Sequence, residues 1–106
     1  MNIKRIKGLI AAPFTPLNQD ETLNVSIIPS YYQMLKRNGV NGAFICGSTG
    51  EGTSLTLNEK KLVAQAWADA KKGDSEFRVT LFLGGTCLGE CKELAIFAKE
   101  IGIDAV

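Results

Sequence analysis

The sequence predicts an α/β fold with a parallel sheet, on three observations. Short apolar runs (Gly8–Ala12, Ala43–Cys46, Arg78–Leu83) alternate with longer segments whose apolar residues recur every three or four positions. The strand–helix unit repeats at roughly 30 residues, the length of a βαβ crossover. The joints between units are alike: Gly39-Val40-Asn41-Gly42-Ala43 and Gly102-Ile103-Asp104-Ala105-Val106 both leave a helix and enter a strand. Such alternation implies parallel strands with right-handed crossovers, here about three full units and the start of a fourth.

Met1 to Lys7 carry Lys4, Arg5 and Lys7 and read as a solvated lead-in. Gly8–Ala12 reads as the first strand, closed by Pro13. Pro13 and Pro16 flank Phe14-Thr15, and the second proline pushes Thr15 towards an extended backbone. After the polar Asn18–Glu21 loop, Ile28, Tyr31, Tyr32 and Leu35 mark the inner face of a helix over about Val25–Asn38. Asn24 or Ser26 caps it, Ser26 fitting better because Pro29 then falls in the first turn. Lys36 and Arg37 suit the negative end of its dipole, and Gly39 supplies the left-handed stop.

The second strand, about Ala43–Cys46, is a four-residue apolar run that suits burial on both faces. It ends in Gly47-Ser48-Thr49-Gly50-Glu51-Gly52. Thr56-Leu57-Asn58-Glu59 is a capping box. It opens a helix with Leu62, Val63, Ala66, Trp67 and Ala70 inward, ended by Lys71-Lys72-Gly73. A charged link with Asp74 and Glu76 leads to the third strand, Arg78–Leu83, which turns at Gly84-Gly85-Thr86. The third helix spans about Leu88–Glu100 with Cys91, Leu94, Ala95, Ala98 and Ile101 inward and Gly102 as its stop. Ile103–Val106 begins a fourth strand.

Composition narrows the function classes. Of 106 residues, 45% are hydrophobic and 22% charged, with a formal net charge of +1, which is ordinary for a soluble domain. That balance gives no reason to expect nucleic acid or an acidic membrane as partner, and no apolar run approaches a membrane span. With no histidine and three cysteines, Cys46, Cys87 and Cys91, a Cys/His zinc site is excluded, and no metal is expected. Cys87 and Cys91 could face each other across one helical turn, but the spacing is not C-x-x-C. Buried free thiols in a cytosolic protein are the expectation.

The chemistry is expected in the loop after the second strand. A buried strand that runs out into glycines and hydroxyls puts them at its carboxyl end, where α/β folds hold ligands. Gly47, Gly50 and Gly52 are expected to take positive φ and let the backbone approach a ligand. Ser48 and Thr49 offer two neighbouring hydroxyl donors to an anionic oxygen, a carboxylate or a phosphate. The loop is neither G-x-G-x-x-G nor G-x-x-x-x-G-K-[ST]; it has no lysine for a phosphate, and Glu51 would repel one. A turn whose glycines serve only its geometry, with hydroxyls bonded to nearby backbone, is the bland alternative.

Gly47-Ser48-Thr49-Gly50-Glu51 resembles the G-[ST]-T-G-E signature of the pyruvate-dependent class I aldolases, the family that includes N-acetylneuraminate lyase and dihydrodipicolinate synthase. Gly8-Leu9-Ile10-Ala11-Ala12-Pro13-Phe14-Thr15-Pro16 resembles the family's first strand and Thr-Pro turn. Leu55 and Glu59 fit its loop end and helix cap; Leu94-Ala95, Ala98 and Gly102–Val106 fit its third helix and fourth strand. The resemblance covers essentially the whole chain.

It implies a TIM (β/α)₈ barrel, typically ~250 residues, of which this chain is the N-terminal part, one incomplete domain cut as its fourth strand begins. It implies that Ser48 and Thr49 hold the carboxylate of pyruvate or of the pyruvyl end of a substrate. The family's Schiff-base lysine and proton-relaying tyrosine are expected after Val106, so no catalytic residue is expected here. Lys36, Lys60, Lys61, Lys71, Lys72, Lys92 and Lys99 fall on or at the ends of predicted helices, Lys4 and Lys7 precede the first strand, and Tyr31, Tyr32 and Trp67 read as packing residues. Neither metal nor organic cofactor is implied. The partners implied are a small 2-keto acid or sialic acid and further copies of the chain in a cytoplasmic homotetramer. The run Glu59–Trp67, with Gly52, Leu55 and the Ser48-Thr49 pair, is more similar to the lyases, which cleave a sialic acid to an amino sugar and pyruvate, than to the synthases. A small flavodoxin-like binding module is the alternative from another class, and a ligand-free, self-associating structural piece is the third.

Overall fold

The computed structural model describes residues 5–106. Met1 to Lys4 of the expected lead-in lie outside the described residues, and Arg5, Ile6 and Lys7 are exposed. Three strands, β1 (Ile10–Ala11), β2 (Gly42–Ile45) and β3 (Arg78–Leu81), alternate with three helices, α1 (Ile28–Arg37), α2 (Leu57–Ala70) and α3 (Leu88–Glu100). The strands are parallel in the order β1-β2-β3, with Ile10 opposite Gly42 and Ala43 opposite Val79. Ala105 bridges Thr80 in parallel, and Leu81 N–H donates to Ala105 O at 3.0 Å. A fourth segment therefore enters the sheet beside β3, as expected.

Strand order is sequential and never reverses. A flavodoxin-like sheet places its first strand between the second and third to create a binding crevice, and the described sheet has no such reversal.

The helices cover one face of the sheet. Ala43, Ile45, Val79 and Leu81 point into it and are almost fully buried, packed with Ile28, Tyr32, Val63, Trp67 and Leu94. Successive side chains of a strand alternate between faces. Ile10, Phe44, Thr80 and Phe82 accordingly fall on the other face, where Ile10 is 39% and Phe82 44% exposed. The expected burial of β2 on both faces does not hold among the described residues: Phe44 is half-buried, its ring 5.6 Å from that of Phe82.

Several boundaries differ for local reasons. β1 pairs over two residues, because Pro13 has no N–H to donate. β3 ends at Leu81 rather than Leu83. Ser26 does not cap α1: Val25–Ile27 form a 3₁₀ turn, Ile27 takes the cap position without a side-chain bond, and Ser26 Oγ donates to Asn24 Oδ1. Pro29 still sits in the first turn of α1. The capping box of α2 is complete, with Glu59 N–H on Thr56 Oγ1 at 3.1 Å and Thr56 N–H on Glu59 Oε1 at 2.9 Å. On α2, Leu62 is 57% exposed and Ala64 is buried in its stead. Phe77, in the supposed charged link, is a core residue: Trp67 stacks parallel to it at 6.4 Å and Tyr32 meets it edge-on at 5.0 Å. Of the cysteines, only Cys46 is buried; Cys91 is half-buried and Cys87 exposed.

Two carboxylates pin the amino-terminal end of β3. Asp74 accepts from Lys36 Nζ at 2.6 Å, from the Tyr32 hydroxyl at 2.5 Å and from the Glu76 and Phe77 amides. Asp104 accepts from Lys71 Nζ at 2.5 Å, Arg78 Nη1 at 3.1 Å and the Val79 amide at 2.8 Å.

Candidate functional site

β2 is the central strand of the three, and its last residue, Ile45, is buried. The chain then turns sharply. Cys46 adopts φ +59° and Glu51 φ +55°, so two side-chain-bearing residues hold the left-handed conformation assigned from sequence to glycines. Gly47, Gly50 and Gly52 are absent from the positive-φ glycines. What they provide is space. A Cβ on Gly52 would overlap the Cys46 carbonyl oxygen, one on Gly47 would press the Phe44 ring at 2.7 Å, and one on Gly50 would lie 3.1 Å from Cys46 N and 3.2 Å from Pro13 O. The close approach these glycines allow is therefore to the protein itself.

Internal bonds hold the turn. Glu51 N–H donates to Ser48 O at 3.1 Å and Gly52 N–H to Gly47 O at 3.0 Å. A third tie comes from far along the chain: the Thr15 hydroxyl, 6% exposed, donates to Gly50 O at 2.6 Å. Pro13 and Pro16 beside it are buried as well. Sequence reasoning assigned Thr15 only a backbone conformation. The available signal was a hydroxyl residue set between two prolines.

Ser48 and Thr49 are brought together at the tip of this loop, side by side and exposed. The amides of Ser48, Thr49 and Gly50 donate to no backbone carbonyl among the described residues. Exposed hydroxyls beside free amides can serve an anionic oxygen. Cys46, immediately before them, is a poor nucleophile there, because burial pushes its thiol up to about 11, only partly opposed by the charge of Lys60.

The lysines among the described residues follow the expected pattern with one qualification. Lys60 belongs to α2, but its ammonium reaches the loop after β3 and donates to Gly84 O at 3.1 Å. Lys36 and Lys71 are taken up by Asp74 and Asp104, and Lys61 by Glu93 at 2.6 Å. Among the described residues no three His, Cys, Asp or Glu side chains cluster as a metal site, and no helix is long and apolar enough to cross a membrane.

Comparison with known proteins converges on one family. The profile of the Dihydrodipicolinate synthetase family matches residues 5–106. The chain is 40% identical over 104 residues to N-acetylneuraminate lyase of Pongo abelii, covering 97% of this chain and 32% of that protein. Its structure superposes on Proteus mirabilis N-acetylneuraminate lyase with a TM-score of 0.89 at 34% identity, covering 96% of this chain and 34% of the other. It also superposes, with a TM-score of 0.83 at 29% identity over 91% of this chain and 32% of the other, on a prophage protein of the dihydrodipicolinic acid synthase family from E. coli K12 solved in complex with pyruvate. The chain spans about a third of the length of the relatives it matches.

Proposed function

This chain belongs to the dihydrodipicolinate synthetase family, and we propose on that footing that the protein carrying it is an N-acetylneuraminate lyase. It would cleave N-acetylneuraminate to N-acetylmannosamine and pyruvate through a Schiff base. The chain would supply the first three β/α units of a (β/α)₈ barrel and the entry to the fourth, a single incomplete domain, and half of the binding site. The observation that carries the reading is the Ser48-Thr49 pair, exposed beside free amides at the carboxyl end of the central strand. In parallel α/β sheets that end is where substrates bind.

Ser48 and Thr49 would grip the carboxylate of the pyruvyl group and so orient its keto carbon for attack by an amine, an effect of positioning. The amine and the proton-relaying tyrosine would come from later strands, after Val106, so this chain alone would be inactive. Lys36, Lys60, Lys61 and Lys71 are engaged elsewhere, by Asp74, Gly84 O, Glu93 and Asp104. The chemistry asks for neither metal nor organic cofactor, and a cytoplasmic homotetramer is the assembly in keeping with the family. The names of the relatives favour the lyase over a dihydrodipicolinate synthase-like aldolase, which remains the second reading because the prophage protein in complex with pyruvate is of the synthase family.

The test is to mix the full-length protein with pyruvate and borohydride and to weigh it. A covalent mass increment is expected, and its absence removes the Schiff-base assignment. The 106-residue chain treated alike should stay unmodified.

A further inference from the structure

We infer that Thr15 is the positioning residue of the Ser48-Thr49 loop, acting on substrate through Gly50. This rests on the reading of that loop as the carboxylate site. The loop holds Cys46 and Glu51 at φ +59° and +55°, a conformation side-chain-bearing residues leave unless the surroundings over-determine it. Its two internal bonds, from Glu51 to Ser48 and from Gly52 to Gly47, close the turn upon itself. They do not fix where it points relative to the sheet. The Thr15 hydroxyl does so, with a buried 2.6 Å bond to Gly50 O across 35 residues of sequence.

Thr15 is well suited to the task. Pro13 and Pro16 restrict the backbone on either side of it, and Gly50 packs so tightly on this turn that a Cβ there would lie 3.2 Å from Pro13 O. The bond orients the Gly50 carbonyl and, through it, the peptide plane following the Ser48, Thr49 and Gly50 donors. Without it a buried carbonyl loses its partner, and the loop can relax from its left-handed residues. The carboxylate would then meet donors no longer aimed at one point.

The hydroxyl is the group at issue, so Thr15→Val, Thr15→Ser and the unaltered full-length protein are compared by borohydride trapping with pyruvate and with methyl pyruvate. The ester presents the same keto carbon without the carboxylate. Thr15→Val is expected to raise the half-saturating pyruvate concentration roughly tenfold, because the aligned loop would be populated roughly a tenth of the time and bound pyruvate must restore it, while the rate at saturation stays within about twofold, the pattern of lost uniform binding. Thr15→Ser should stay near the unaltered protein, and methyl pyruvate should be trapped equally by all three. Equal losses with acid and ester, or Thr15→Ser as impaired as Thr15→Val, would overturn the inference. Should Thr15→Val not fold, Thr15→Cys, a weak donor of similar size, must show the same carboxylate-dependent loss in smaller degree. If the unaltered protein traps no pyruvate, the lyase reading fails by itself. Amide hydrogen exchange then decides the positioning role: Thr15→Val must speed exchange at Ser48, Thr49 and Gly50 relative to Thr15→Ser, and unchanged exchange overturns it.

Discussion

Gly52 and Glu21 show opposite ways in which one residue's backbone sets stability. A Cβ on Gly52 would overlap the Cys46 carbonyl oxygen, and that oxygen belongs to backbone already held at a positive φ. It cannot yield as a side chain could. Gly52→Ala in the full-length protein should therefore cost about 3 kcal/mol, in the upper range for forced overpacking, read as a fall in the denaturant midpoint with the slope unchanged. Glu21 stands at φ +69° in the exposed Asn18–Thr22 turn, its amide donating to Asn18 O at 3.0 Å. A left-handed non-glycine residue costs roughly 1–2 kcal/mol, and a glycine in its place gives back roughly 0.5–1 kcal/mol through the freer unfolded chain. Glu21→Gly should stabilise by about 0.5 kcal/mol in the same measurement; a lower midpoint would show that its side chain contributes more than its backbone costs. Positive φ at Cys46 and Glu51 was not legible in the sequence because glycines stood beside both, and residue type reports permission to adopt a conformation rather than its use.

At the scale of elements, two carboxylates tie α1 and the end of α2 to the start of β3, and this makes stability depend on pH. Lys36 and then Tyr32 hold the Asp74 carboxyl well below the usual carboxylate range. For Asp104 burial alone acts upward, but the bonds from Lys71, the Val79 amide and Arg78 together outweigh it, and its pKa is also lowered. A carboxylate whose folded pKa is depressed contributes stability above its unfolded value, near 3.8 here, and loses it as pH falls towards the folded value. Tyr32 has the opposite sign: burial first, then the hydrogen bond to Asp74 and the charge of that carboxylate, push its hydroxyl from 10.0 up to about 12. Its contribution is full below pH 10 and fades as pH rises towards 12. Urea unfolding of the full-length protein should give a plateau between about pH 4 and 10 with losses at both ends. Asp104→Asn should lower the plateau and flatten the acid limb, and an acid limb as steep as before would assign it to other groups. The elements themselves were largely legible: Thr56 and Glu59 mark the start of α2, and Gly39, Gly73 and Gly102 mark helix ends at φ +75°, +86° and +82°. Ser26 misled because Asn24 accepts from its hydroxyl, and Phe77 because its charged neighbours, Asp74 and Glu76, conceal one core ring. The Thr15–Gly50 bond was out of reach for another reason: no local pattern announces a contact 35 residues apart.

For the whole molecule, the consequence lies in the two faces of its sheet. Helices bury Ala43, Ile45, Val79 and Leu81 on one side, while Ile10, Phe44 and Phe82 stand on the side that no described element covers. Phe14 and Leu9 add 55% and 68% exposed side chains near β1, whose outer edge has no partner strand among the described residues. An uncovered aromatic sheet face beside an unpaired edge recruits further chain, because apolar area and backbone hydrogen bonds are gained together. The net charge of +1 offers almost no repulsion against it. The 106-residue chain by itself should therefore show a sedimentation mass that rises with concentration and broad, scan-dependent melting. Phe82→Lys should lower that association, since a charge set on the face must be desolvated when it is covered, whereas Leu62→Lys on the outer side of α2 should leave it unchanged. A sharp two-state melt of a monomer at every concentration would mean that the aromatic face tolerates water. The case for further strands as the natural cover of Phe44 and Phe82 would then rest on family membership alone.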